Sequence, residues 1–86
     1  MRQSTFQVRA MMAYNIKRVR EDAGLSQIAL ADLLYTQQPQ ISRWETGKQM
    51  PSASMLRALS IVCQCTLEDF YTPIGAMVGQ IVMTGA

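Results

Sequence analysis

The chain contains no histidine and only two cysteines among its 86 residues. A structural zinc site needs about four ligands, usually Cys and His, so Cys63 and Cys65 alone cannot close one. A disulfide between residues two apart would be strained. The two therefore read as buried free thiols in a reducing cytoplasm. Without histidine, and with no nucleophile–base pair or phosphate loop in view, the sequence gives no footing for an enzyme, and no metal or cofactor is implied. The acidic neighbours Glu21/Asp22 and Glu68/Asp69 do not change that, because adjacent residues on a helix point apart.

Charge is also scarce. Charged residues make up 16% of the chain and the net charge is +2, too small by itself to indicate a nucleic-acid partner. Its distribution says more. Arg9, Lys17, Arg18, Arg20, Arg43 and Lys48 lie before position 50, and no charge occurs from Thr72 onward. The first half is suited to face a polyanion and the tail to face protein. The longest apolar region, residues 73–83, falls short of the roughly 20 residues a spanning helix needs, so no membrane is expected. No apolar run beside a small-residue cleavage site marks a signal peptide, which again fits a cytoplasmic protein.

What the chain does have is apolar mass, 49% of its residues, enough for one small domain with a single core. Helical spacing dominates up to residue 71. Met12, Ile16, Val19 and Ala23 fall on one face of a first helix that enters near Gln7, with Lys17, Arg18 and Glu21 opposite. Gly24 ends it. Ser26 is a natural N-cap for a helix over 27–34, with Leu30, Ala31 and Leu34 inward. Tyr35-Thr36 makes a short turn. A helix over 38–46 follows, with Ile41 and Trp44 on one face, and Gly47 ends it. Pro51-Ser52 starts another over 52–63, with Met55, Leu56, Leu59 and Val62 or Cys63 inward. Thr66 caps a short last helix carrying Leu67, Phe70 and Tyr71. The expected fold is all-α: a compact five-helix domain over 1–71, then an apolar tail over 72–86.

Helices 27–34 and 38–46, joined by a tight turn, have the helix-turn-helix arrangement, in which the second helix enters the major groove. Glutamine and arginine on its exposed face can bond base edges, Gln with adenine and Arg with guanine. Gln27, with the helix start around it, and Lys48 are suited to phosphates. Proline is tolerated in a first helical turn, where N–H groups lack an intrahelical acceptor, and it disfavours helical geometry in its predecessor. Gln38 is therefore expected as N-cap and Pro39 as the first helical residue.

The stretch from Ile16 to Phe70 resembles the Cro/phage-repressor family, the XRE-type or lambda-repressor-like helix-turn-helix proteins. The matching motifs are GLSQ (24–27), LA (30–31), ISRWE (41–45), GK (47–48), PS (51–52) and LED (67–69). The resemblance implies a lambda-repressor-like domain that binds double-stranded DNA. It implies base contacts from Gln37, Gln38, Pro39, Gln40 and Arg43, and phosphate contacts from Ser26, Gln27, Thr46 and Lys48, with Gln27 also bracing the recognition helix. Arg43 could equally be a solvated charge that touches only backbone. The resemblance pairs Arg20 with Glu45 in a structural ion pair, while Trp44 reads as core. The chain departs from the family pattern at Tyr35, where glycine is usual, at Thr36, usually apolar, at Leu33, often polar, and at Pro39.

Residues 73–83 leave two readings open. Ile74, Met77, Val78, Ile81 and Val82 follow helical spacing, which is favoured, and are candidate dimer contacts. The β-branched residues of VGQIVM and the helix cost of two glycines point to a strand. The leading functional expectation is a sequence-specific transcriptional regulator, a repressor by family habit, bound as a homodimer to a palindromic operator. The alternative is an antitoxin-like or adaptor protein whose tail binds a second protein.

Overall fold

The computed structural model describes residues 5–73. Within them the chain forms four α-helices, α1 (Thr5–Asp22), α2 (Gln27–Leu33), α3 (Gln38–Glu45) and α4 (Ala53–Val62), and then a 3-10 helix (Leu67–Tyr71). No strand occurs among the described residues. The fifth helical segment of the expected fold is thus a 3-10 helix. The tail residues Ile74, Met77, Val78, Ile81 and Val82 lie outside the described residues.

One core joins all five elements. Met12 and Ile16 from α1, Leu30 from α2, Ile41 from α3, Leu59 from α4 and Phe70 from the 3-10 helix are each at most 1% exposed. Burial of such a side chain contributes about 1.5–3 kcal/mol, so this set outweighs any surface interaction in the domain. Three hydroxyls start helices by accepting a free backbone N–H: Ser26 from Ala29 at 3.0 Å, Ser52 from Met55 at 3.1 Å and Thr66 from Asp69 at 3.3 Å. The last is reciprocal, since the Asp69 carboxylate accepts from the Thr66 N–H at 2.8 Å. That bond, with a weaker one from the Thr66 hydroxyl, holds the Asp69 carboxyl below its ordinary value.

All four α-helices stop in the same way. Gly24, Tyr35, Gly47 and Gln64 have φ of 75°, 55°, 75° and 55°. The amide after each returns to a carbonyl five residues back: Leu25 to Arg20, Thr36 to Ala31, Lys48 to Arg43 and Cys65 to Ser60, at 2.9–3.1 Å. These are Schellman caps. Two glycines adopt the left-handed conformation freely, whereas Tyr35 and Gln64 carry a Cβ there. The turn between α2 and α3 has kept the shape that glycine favours without having the glycine.

Several boundaries differ from the sequence expectation. The first helix begins at Thr5, ahead of Gln7, and ends at Asp22. Ala23 therefore leaves the apolar face and is exposed, because the chain already turns toward its cap at Gly24. Gln37, with φ −112° and ψ 148°, is the N-cap of α3, and Gln38 is its first residue. Pro39 sits one place deeper than expected. It still lies in the first turn, where the missing N–H removes no helical bond. Cys63 is buried but Cys65 only half-buried. Burial, aided by Cys65, pushes the Cys63 thiol up to about 11. No helix among the described residues is long and apolar enough to cross a membrane.

Candidate nucleic-acid interface

The sequence of α3, QPQISRWE, divides by face. Ile41 and Trp44, three apart, point inward and are 0% and 2% exposed. Gln37, Pro39 and Arg43 are exposed, and Gln38 and Gln40 are half-buried. The short helix is thus held from behind by core packing while its front and outer side remain polar. Among the buried side-chain polar atoms, Trp44 Nε1 has no protein hydrogen-bond partner, so the indole acts here through its ring.

Behind this surface lies a chain of side-chain hydrogen bonds. Arg20 Nε donates to Glu45 Oε2 at 2.6 Å and Arg20 Nη2 to Glu45 Oε1 at 3.0 Å. The remaining arm of the guanidinium, Nη1, donates to the Leu25 carbonyl at 2.8 Å. The two side chains are 10% and 3% exposed, and the bond to Glu45 raises the Arg20 pKa above the usual arginine value. This pair ties α1 to the end of α3. Glu45 Oε1 also accepts from Gln27 Nε2 at 3.0 Å, and Gln27 Oε1 accepts from Gln38 Nε2 at 2.6 Å. The four side chains link the end of α3 back to its own front through α2.

A second group lies further along α3. Arg43 Nη1 donates to Gln40 Oε1 at 3.4 Å, and Gln40 Nε2 donates to Gln49 Oε1 at 3.3 Å. Gln49 was not singled out from sequence. It lies past the helix end, and the return of the chain at Gly47 is what brings it beside Gln40. Asn15 is another buried polar residue the sequence reading passed over, because it sits among the apolar residues of α1.

The four residues expected at phosphates differ in what they have free. The Ser26 oxygen accepts from Ala29 N, leaving its hydroxyl hydrogen to donate outward. Gln27 is engaged on both sides, with one N–H left over. The Thr46 hydroxyl donates back to Ser42 O at 2.9 Å. The Lys48 side chain is exposed just beyond the cap of α3.

Comparison with known proteins agrees with this architecture. A helix-turn-helix family model matches residues 16–70. Among solved structures, a hypothetical transcription factor, NHTF from Neisseria, is similar with a TM-score of 0.76 at 19% identity. The match covers 91% of this chain and 90% of that one. No curated protein matches the chain. At that identity the structural likeness speaks for the fold, and the family match spans every element from the middle of α1 to the 3-10 helix. The chain belongs to the helix-turn-helix family, in its XRE-type branch, and is a DNA-binding transcription regulator.

Proposed function

We propose that the protein is a sequence-specific repressor that binds a palindromic operator as a homodimer, with α3 in the major groove. The observation that carries this reading is the division of α3: a back face locked in the core and a front of Gln37, Gln38, Pro39 and Gln40, with Arg43 one turn on. Glutamine and arginine are the residue types that bond adenine and guanine edges, and the Pro39 ring is suited to a thymine methyl. Ser26, Gln27, Thr46 and Lys48 flank this front and are assigned to phosphates, which fix register without reading sequence. Thr46 is the weakest of the four, since its hydroxyl hydrogen already serves α3.

One recognition helix reads only a few base pairs, so two copies reading half-sites about 34 Å apart give a usable operator. The absence of charge from Thr72 onward supports the tail as the joining segment, with Ile74, Met77, Val78, Ile81 and Val82 as its contacts. Selection of bound sequences from random DNA, with sizing of the complex, tests the proposal. The expected product is a palindrome with half-sites one helical turn apart, bound by two chains. A single unpaired site bound by one chain refutes the dimer, and no enriched sequence refutes specific reading.

A further inference from the structure

The hydrogen-bond chain behind α3 has a direction, and one residue sets it. Glu45, paired with the Arg20 guanidinium, is a carboxylate and can only accept. The end of the Gln27 amide that faces it must therefore be the nitrogen. An oxygen there would oppose two acceptors about 3 Å apart in a partly buried site, at the cost of an unmade hydrogen bond. With its nitrogen turned to Glu45, Gln27 shows its oxygen to Gln38. That oxygen can only accept, so Gln38 must turn its nitrogen inward. The orientation of both amides thus follows from chemistry.

We propose that Glu45 is a specificity-positioning residue, which acts through Gln27 to fix which hydrogen-bonding groups Gln38 offers to DNA. The inference rests on the reading of α3 as the recognition helix. Locked in this direction, Gln38 has its oxygen and one N–H left. That is one acceptor and one donor, the complement of adenine, which shows N7 as acceptor and N6–H as donor. Guanine shows two acceptors, N7 and O6, and sets one of them against the Gln38 oxygen. The carboxylate never touches a base. It makes the adenine-compatible orientation of Gln38 the one without an opposed acceptor pair.

The discriminating variant is Glu45→Gln, which keeps the shape and can still accept from Arg20 through its oxygen. Its oxygen keeps the shorter contact, from Arg20 Nε at 2.6 Å, so its amide nitrogen takes the place of Oε1, where it opposes Arg20 Nη2 and donates to Gln27. Gln27 turns over, its nitrogen faces Gln38, and Gln38 turns its own oxygen inward. Gln38 now offers two N–H groups and no acceptor, which suits guanine. The experiment first finds the base that Gln38 reads, as the operator position where Gln38→Ala relaxes preference. It then measures the wild type and Glu45→Gln on operators carrying adenine or guanine there, with folding of each variant checked by circular dichroism and melting.

The wild type is expected to prefer adenine, and Glu45→Gln to shift the adenine-to-guanine ratio toward guanine by about tenfold or more. Gln27→Leu, which leaves the Arg20–Glu45 pair in place, is expected to shrink the same preference without reversing it. A folded Glu45→Gln that keeps the wild-type preference overturns the proposal. So does a wild type that prefers another base at that position. If Glu45→Gln does not fold, an unchanged preference in Gln27→Leu overturns it equally. Failure of the wild type to prefer any operator sequence is a different result, and counts against the DNA reading itself.

Discussion

The Asn15 side chain, on α1, donates to the Phe70 carbonyl at 3.0 Å across 55 residues of sequence. It donates also to the Thr72 carbonyl at 2.9 Å, while its own oxygen accepts from Arg18 at 3.3 and 3.4 Å. Arg18 in turn reaches the Asp69 carbonyl at 3.1 Å. Asn15 is fully buried, so its amide replaces water for the carbonyls at the end of the 3-10 helix. It ties the end of the 3-10 helix to α1.

Asn15→Leu, similar in size, removes both donors and strands the two carbonyls. The expected loss of stability is about 2–3 kcal/mol, read from urea unfolding. A loss below about 0.5 kcal/mol would show that water serves these carbonyls as well as the side chain does.

The left-handed caps give paired predictions. Tyr35 is 98% exposed, so Tyr35→Gly removes strain without removing packing. Relief of about 1–2 kcal/mol is partly offset by the greater freedom of glycine in the unfolded chain, leaving a gain of about 0.5–1 kcal/mol. Gly24→Ala should lose about 1 kcal/mol by backbone strain alone, since an added Cβ meets nothing within 4 Å. Thermal melts of both variants check the pair, and a destabilised Tyr35→Gly would mean that the tyrosine ring holds the turn.

The Arg20–Glu45 pair should behave as a buried ion pair does. Arg20→Met leaves a carboxylate that is 3% exposed without its cation, and should cost about 3 kcal/mol or more. Replacing both residues with methionine removes that stranded charge, so the double variant should be more stable than Arg20→Met. A double variant at or below the single one in urea unfolding would show that the lone Glu45 carboxylate carries no such penalty.

Asp69 predicts an acid-side effect. Its carboxyl is held below the ordinary value by the Thr66 backbone N–H first and the Thr66 hydroxyl second. A depressed folded value means the contribution is complete above the unfolded value of about 3.9 and is lost as pH falls through the folded one. Melting curves of wild type and Asp69→Asn should therefore differ near neutral pH and converge in acid. Curves that stay parallel down to about pH 2 would contradict this.

Much of the fold was legible because local chemistry and global packing agree. Ser26, Ser52 and Thr66 announce helix starts, Gly24 and Gly47 announce stops, and Met12, Ile16 and Val19 mark a buried face that periodicity alone identifies. The left-handed Gln64 was not legible, since nothing in its side chain asks for that backbone; the cap bond from Cys65 N to Ser60 O accompanies it. Gln37 as the cap of α3 was missed by one place, because proline is equally harmless at the first two helical positions. For the candidate site, residue types could nominate Gln38 and Gln40, and the family resemblance could make Gln27 a brace of the recognition helix, but neither names the atoms that pair. Gln27 and Gln49 meet Gln38 and Gln40 only through the turns at Tyr35 and Gly47, and a relay that runs through Glu45 has no signature in linear spacing.

The central claim is that the front of α3 reads bases while Lys48 holds phosphate. The most direct test measures affinity for a selected operator and for random DNA across a salt series, for wild type, Gln38→Ala, Gln40→Ala, Arg43→Ala and Lys48→Ala. The account predicts a loss of about 1–3 kcal/mol on the operator for each α3 variant, with little change on random DNA. Lys48→Ala should weaken both DNAs alike and flatten the salt slope. Equal losses on both DNAs for the α3 variants, or binding that does not respond to salt, would contradict it.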